Sequence, residues 1–80
     1  MKCILTRDTN VNGHNIKAYC CKNLNGKFSF VLFAENAAMR FKSSSDAYAQ
    51  RNIFNKENGY ALENMHVEET FTDQSFEVVL

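Results

Sequence analysis

The chain contains no proline, only three glycines and three cysteines, and no long apolar run. Without proline there is no rigid spacer to divide the sequence, and no repeat or low-complexity tract marks a boundary, so residues 1–80 read as one domain,. Three separated glycines cannot build a glycine-rich phosphate loop,. No run approaches the roughly 18 apolar residues of a membrane helix. The N-terminus, MKCILTRDTN, turns polar after five residues, too soon for the apolar region of a signal peptide,. A cytoplasmic location without membrane attachment is the expectation.

Cysteine is scarce in a way that excludes two further classes. Cys20 and Cys21 are adjacent on a segment that reads as a strand, so their side chains diverge and form neither a compact chelate nor an ordinary disulfide,. A zinc site would have to gather Cys3, one of that pair, His14 and His66 without any metal-ligand spacing,. No metal and no cofactor are therefore expected, and the thiols read as small buried hydrophobes.

Charge is balanced in total and divided along the chain. All nine Lys and Arg lie in residues 1–56 beside only Asp8, Glu35 and Asp46, a local net of +6. The remainder carries Glu57, Glu63, Glu68, Glu69, Asp73 and Glu77 and no base, a net of −6. Either the acidic segment lies against the basic one and neutralises it, or the surface is bipolar and orients a charged partner.

Every glycine follows an asparagine, at Asn12-Gly13, Asn25-Gly26 and Asn58-Gly59. Asn-Gly suits a two-residue hairpin turn, because both residues tolerate positive φ. Placed at the first pair, such a turn sets Val11 opposite His14, Arg7 opposite Ala18, Asp8 opposite Lys17 and Leu5 opposite Cys20. At the second pair, it sets Cys20 opposite Val31 and Cys21 opposite Phe30. A weaker third turn at Glu35-Asn36 would bring Leu32 opposite Met39 and Phe30 opposite Phe41. Alternation then assigns Ile4, Tyr19, Cys21, Phe28, Phe30, Leu32, Met39 and Phe41 to a core face. Leu5, Ile16, Ala18, Cys20, Val31 and Phe33, with a rim of Arg7, Lys22 and Arg40, fall on an outer strip.

The segment SSSDAYAQRNIFNKENG predicts a helix with Ser43 and Asp46 forming a capping box and Gly59 stopping it,. Its spacing turns Ala47, Ala49, Gln50, Ile53 and Phe54 toward the core and Tyr48, Arg51, Asn52 and Asn55 outward. A strand over 65–71, a turn at TDQS and a last strand over 76–80 complete the reading. The fold class is α+β: an antiparallel meander with one helix on one face, in the order β-β-β-(β)-α-β-β. The acidic C-terminal hairpin is the expected cover for the outer strip.

GKFSFVLF, residues 26–33, resembles the RNP1 signature of the RNA-recognition-motif family at Phe28, Phe30, Val31 and Phe33. In that family the residues matching Phe28 and Phe30 stack on bases. Here Gly26 and Lys27 stand in reversed order, Ser29 replaces the usual Gly or Ala, and no RNP2-like strand precedes the octet. The register turns both rings toward the helix, so the octet is read as coincidence.

Catalysis has no constellation to carry it. His14 and His66 have no patterned Cys or Ser neighbour, and Glu68 and Glu69 are adjacent on a strand and diverge,. In size, Asn-rich composition and opposed charge halves the chain resembles small proteins of phages and mobile elements, among them anti-CRISPR and similar anti-defence inhibitors. That resemblance implies a non-enzymatic module that binds and occludes a host effector. The candidate partner-binding residues are Tyr48, Arg51, Asn52, Asn55, Glu63, Glu68, Glu69 and Asp73. The alternative is a single-stranded nucleic-acid (RNA) binding domain using Arg7, Lys22, Lys27, Phe33 and Arg40; a homodimer through the outer strip is the third reading.

Overall fold

The computed structural model describes residues 2–70. Strands β1 (Lys2–Val11), β2 (His14–Lys22), β3 (Phe28–Leu32) and β4 (Met65–Thr70) form one antiparallel sheet in the order β3-β2-β1-β4, with helix α1 (Ser44–Asn58) on one face. The α+β class is as expected. No helix among the described residues is long and apolar enough to cross a membrane. The expected turn at TDQS and strand over 76–80 lie outside the described residues.

The first hairpin follows its sequence. Asn12 (φ 53°) and Gly13 (φ 85°) both take positive φ, and the register runs from Val11 opposite His14 to Thr6 opposite Tyr19,. The second departs from the expected two-residue loop. Asn23 N–H donates to Lys27 O at 2.9 Å and Gly26 N–H to Asn23 O at 3.0 Å, which closes a three-residue loop with Gly26 left-handed at φ 81°,. Asn23 fixes this geometry, since its Oδ1 accepts from the N–H groups of Asn25 and Lys27, each at 2.9 Å,.

The added residue slips the β2–β3 register by one, so Cys20 pairs with Phe30 and Tyr19 with Val31,. This inverts the expected faces of β1 and β2 while leaving β3 as expected. Leu5, Ala18 and Cys20, read as an outer strip, are buried beneath the helix with Cys3, Met65, Ala47 and Phe54. Ile4, Tyr19 and Cys21, read as core, are half-buried on the open face. Phe28 and Phe30 do face the helix: Phe30 meets Phe54 at 4.5 Å and Tyr60 at 5.8 Å between ring centroids, and Phe28 meets Phe41 at 5.9 Å.

The expected pairing of 39–41 with β3 does not form. Glu35–Ala37 is a short 3-10 helix instead, after which Met39 N–H donates to Cys20 O at 2.7 Å. Phe41 exchanges two backbone bonds with Cys3, at 2.7 and 3.0 Å. Residues 39–41 thus bridge the ends of β1 and β2 where their mutual ladder has stopped. The chain enters α1 directly from this bridge. Ser43 Oγ accepts from Asp46 N–H at 3.3 Å, and Gly59 closes the helix at φ 73°, as the capping residues predict. The buried stripe is narrower than expected: Ala47 and Phe54 are buried, while Ala49 and Ile53 are exposed.

Beside β1, β4 is a sheet neighbour and not a cover, with Arg7 opposite Met65 and Lys2 opposite Thr70. On the open face Glu68 accepts from Thr6 Oγ1 at 3.1 Å and from Lys17 Nζ at 3.0 Å, and His66 Nε2 lies 2.9 Å from Asp8 Oδ2. The hydrogen bond to Glu68 raises the Lys17 pKa.

Two measurements check this account. Asn23→Ala removes both side-chain bonds of the loop and is expected to cost about 1–2 kcal/mol in urea unfolding, whereas Leu24→Ala, at a fully exposed position, should stay within about 0.5 kcal/mol of the parent,. Burial pushes the Cys20 thiol from 9.0 up to about 12. The unfolded chain then loses this proton first as pH rises, so stability is intact below about 9 and falls above it by about 1.4 kcal/mol per unit from this group. The alkaline slope of unfolding free energy should flatten in Cys20→Ala, whatever the variant's stability at neutral pH.

Candidate functional site

Antiparallel pairing leaves alternate residues of an edge strand with unpaired backbone groups. Asn23 and Lys27 are hydrogen-bonded, so the bonded pairs that follow are Cys21 with Ser29 and Tyr19 with Val31. The N–H and C=O groups of Phe28, Phe30 and Leu32 therefore point away from β2, and β2 is the only strand neighbour of β3 among the described residues. β3, FSFVL, carries no charge. The opposite edge strand, β4, carries His66, Glu68 and Glu69.

Helix α1 packs closely on β1 and β4, and its Phe54 ring reaches across to Phe30 of β3. The space left beside β3 is a groove of about 240 Å³ lined by Phe28, Ile53, Phe54 and Gln50, with Lys27 and Glu57 at its rim. That volume suits one or two side chains; small-molecule sites run to about 300 Å³ and above. A larger hollow of about 660 Å³, lined by Arg7, Asp8, Thr9, Asn10, Asn15 and Asn64, lies where β1 outruns β4. Its lining residues are all of polar or charged type, and Asp8 there is engaged by His66 and Arg7 by the Tyr60 ring.

At the far end of β3 the chain does something costly. Phe33 has φ 58°, a left-handed conformation that a bulky L residue adopts at about 1–2 kcal/mol, and its side chain is not rewarded with burial, being 81% exposed,. Val31, one turn of the pleat earlier, is 42% exposed on the open face. An uncharged edge that no described strand covers, a side-chain-sized groove and a strained bare ring thus lie together along one side of the sheet.

The residues expected to bind a partner are not brought into one surface. Tyr48 is exposed with the Arg51 guanidinium 5.1 Å from its ring centre, and Asn52 is exposed beside them. Asn55 serves the fold, because its Nδ2 donates to Tyr60 O at 2.7 Å and ties the helix end to the next turn. Glu63 is exposed on the 3-10 helix Leu62–Asn64. Glu68 is engaged by Lys17 and Thr6 on the open face, Glu69 points to the helix side by alternation, and Asp73 lies outside the described residues.

The basic residues are also dispersed, and they do not rim the open face. Arg7 stacks on Tyr60 at 3.9 Å and Lys22 lies 5.7 Å from the Phe28 ring centre, both on the helix side. Arg40 Nη1 donates to Ala38 O. Lys27 and Phe33 stand at opposite ends of β3, and no sequence motif marked the edge between them as a site. The signal that could have found it is the absence of charge in FSFVL.

Comparison with protein-family models, with curated proteins and with solved structures finds no match to this chain.

Phe33→Gly relieves the left-handed strain at little loss of burial. It is expected to raise the unfolding free energy by about 0.5–1 kcal/mol in urea titration. A loss of more than about 1 kcal/mol would instead make the ring part of the core.

Proposed function

We propose that this chain is a non-enzymatic protein-binding module that accepts an extended segment of its partner as a fifth strand on the β3 edge. In this mode main-chain hydrogen bonds supply affinity, and alternate side chains entering a neighbouring groove supply selectivity. The observation that carries the reading is the edge of β3, uncharged and without a second strand neighbour among the described residues, beside the Phe28–Ile53 groove. Natural edge strands are ordinarily blunted by charge, bulges or cover, and β3 has no charged residue to do so. Phe33, strained and exposed at the end of the same strand, adds an aromatic anchor of the kind that dominates interface energies,.

The mode of action in this reading is stoichiometric occlusion of a host effector, as in the small phage and mobile-element anti-defence proteins that the sequence resembles. It is supported by the uncharged β3 edge and by the exposed Phe33 ring that follows it. Helix residues Tyr48 and Arg51 supply a second contact surface on the side of α1 away from the groove.

The test is affinity capture from the source cell with the intact chain and with Val31→Lys, which places a charge on the edge without entering the core. Capture should fall at least tenfold in Val31→Lys, and amide exchange at Phe28, Phe30 and Leu32 should slow in the complex. Capture that survives Val31→Lys but is lost in Tyr48→Ala or Arg51→Ala would move the interface to the helix. Retention on single-stranded RNA that weakens steeply with salt would replace the reading with nucleic-acid binding.

A further inference from the structure

We propose that Asn12 is a site of spontaneous modification, where the backbone nitrogen of Gly13 attacks the side-chain amide, and that Asn10 is the residue that restrains it. This stands apart from the reading of β3. In the first step a bond forms between Gly13 N and Asn12 Cγ while the Cγ–Nδ2 bond breaks, and ammonia leaves carrying the proton of the Gly13 amide. Water then opens the cyclic imide at either carbonyl, which yields aspartate or, with one methylene added to the main chain, isoaspartate. Neither an oxidant nor a reductant takes part.

Chemistry alone offers three such sites, because glycine, with no Cβ to crowd the attack, follows Asn12, Asn25 and Asn58,. The fold separates them. Each attacking nitrogen is hydrogen-bonded, and a nitrogen whose proton is held in this way must give it up before it can attack. Gly26 N–H donates to Asn23 O at 3.0 Å, inside a loop also tied through Asn23 Oδ1, and Gly59 N–H donates to Asn55 O at 3.1 Å as the closing bond of α1. Both acceptors are main-chain carbonyls fixed by the structure around them. Gly13 N–H instead donates to a side chain, Asn10 Oδ1, at 3.1 Å and between exposed residues. Asn10 Nδ2 in turn donates to Asn15 Oδ1 at 3.3 Å, also in the open. Rotation of the Asn10 side chain is therefore enough to release the Gly13 nitrogen. Space does not oppose the closure, since a Cβ built on Gly13 would meet nothing within 4 Å.

The position matters because this turn sets the first hairpin. Asp-Gly suits the same two-residue turn, so the aspartate product keeps the fold and gains one negative charge. Isoaspartate lengthens the main chain between Val11 and His14, which pair across the turn, and so breaks the match between loop length and register,. Ageing at Asn12 thereby divides the protein into a folded form and a weakened one.

The test is peptide mapping by mass spectrometry of the whole chain aged in neutral buffer at body temperature. Asn12 should convert first, about threefold or more ahead of Asn25 and Asn58, whereas in urea, where these bonds are lost, the three should convert within about twofold of one another. Asn10→Ala should speed native conversion of Asn12 by about threefold to tenfold, the weight of one hydrogen bond, and leave Asn25 and Asn58 unchanged. Asn10→Asp keeps an acceptor for Gly13 N–H and should convert no faster than the parent. Amide exchange at Gly13 should quicken in Asn10→Ala but not in Asn10→Asp, with exchange at Arg7 in β1 unchanged in both. Native conversion at Asn25 or Asn58 that matches or precedes Asn12, or an Asn12 rate that ignores Asn10→Ala, overturns the proposal. Equal acceleration in Asn10→Asp, or exchange at Arg7 that rises with Gly13, would do the same, because Asn10 would then steady the hairpin and not guard the nitrogen.

Discussion

The structure depends on one left-handed residue, Gly26, and on the asparagine three positions before it. Because strand side chains alternate with a period of two, the length of the Asn23–Lys27 loop decides whether Cys20 or Cys21 joins the Phe30 ring above the helix,. With the three-residue loop, Leu5, Cys20, Phe30, Phe54 and Met65 converge. Leu5 and Met65 are fully enclosed there, and each is worth about 1.5–3 kcal/mol,. A domain of this length has a net stability of about 4–12 kcal/mol. A two-residue loop would turn one side of this cluster outward, a loss comparable with that whole margin. The register is therefore set by burial as much as by the turn, and the two agree.

This also explains what was legible in the sequence and what was not. Asn12-Gly13 stands between two long alternating segments, and its two-residue turn is unambiguous; the helix carries a capping serine and a terminal glycine, and both act as their residue types dictate. Asn25-Gly26 admits two turns. The one adopted is announced by Asn23, since asparagine at the first position and glycine at the fourth suit a type I turn followed by a left-handed residue. Reading the dipeptide alone gives the wrong loop, and one residue then exchanges Leu5, Ala18 and Cys20 with Ile4, Tyr19 and Cys21. Phe28 and Phe30 face the helix as expected, and the one-residue slip falls on β1 and β2 instead. The bridge of 39–41 to Cys3 and Cys20 was beyond local pattern, being made by backbone groups, which every sequence has, and reaching in the case of Cys3 across more than thirty residues.

The divided charge finds a partial structural answer. β4, from the acidic segment, lies against basic β1, and Glu68 meets Lys17 across the open face. That pair is well exposed and worth little in net stability, at most about 1 kcal/mol,. Its more important effect is on the open face itself. Thr6, wholly buried beneath Glu68, spends its hydroxyl on the carboxylate, so the half of the face beside β4 is saturated with polar contacts. The half beside β3 holds Tyr19, Cys21 and Val31 and has no comparable network among the described residues.

The two edges of the sheet therefore differ for a physical reason. β4 is held by its ladder to β1 and by buried Met65, and its remaining positions carry charge to the outer edge, where a second strand would have to accommodate Glu68 and Glu69. β3 gains its place by aromatic burial, and burial needs no charge, so its edge is left without one. The cost of an unguarded edge is association. An evolved chain could have blunted it with a single lysine at Val31 or Ser29, both exposed and neither in the core. Instead the residue that follows the strand is an exposed phenylalanine held at positive φ, a second feature that stability alone does not favour. These two departures from the stable choice, on β3 and at the residue that follows it, are the ground on which binding at this edge is proposed.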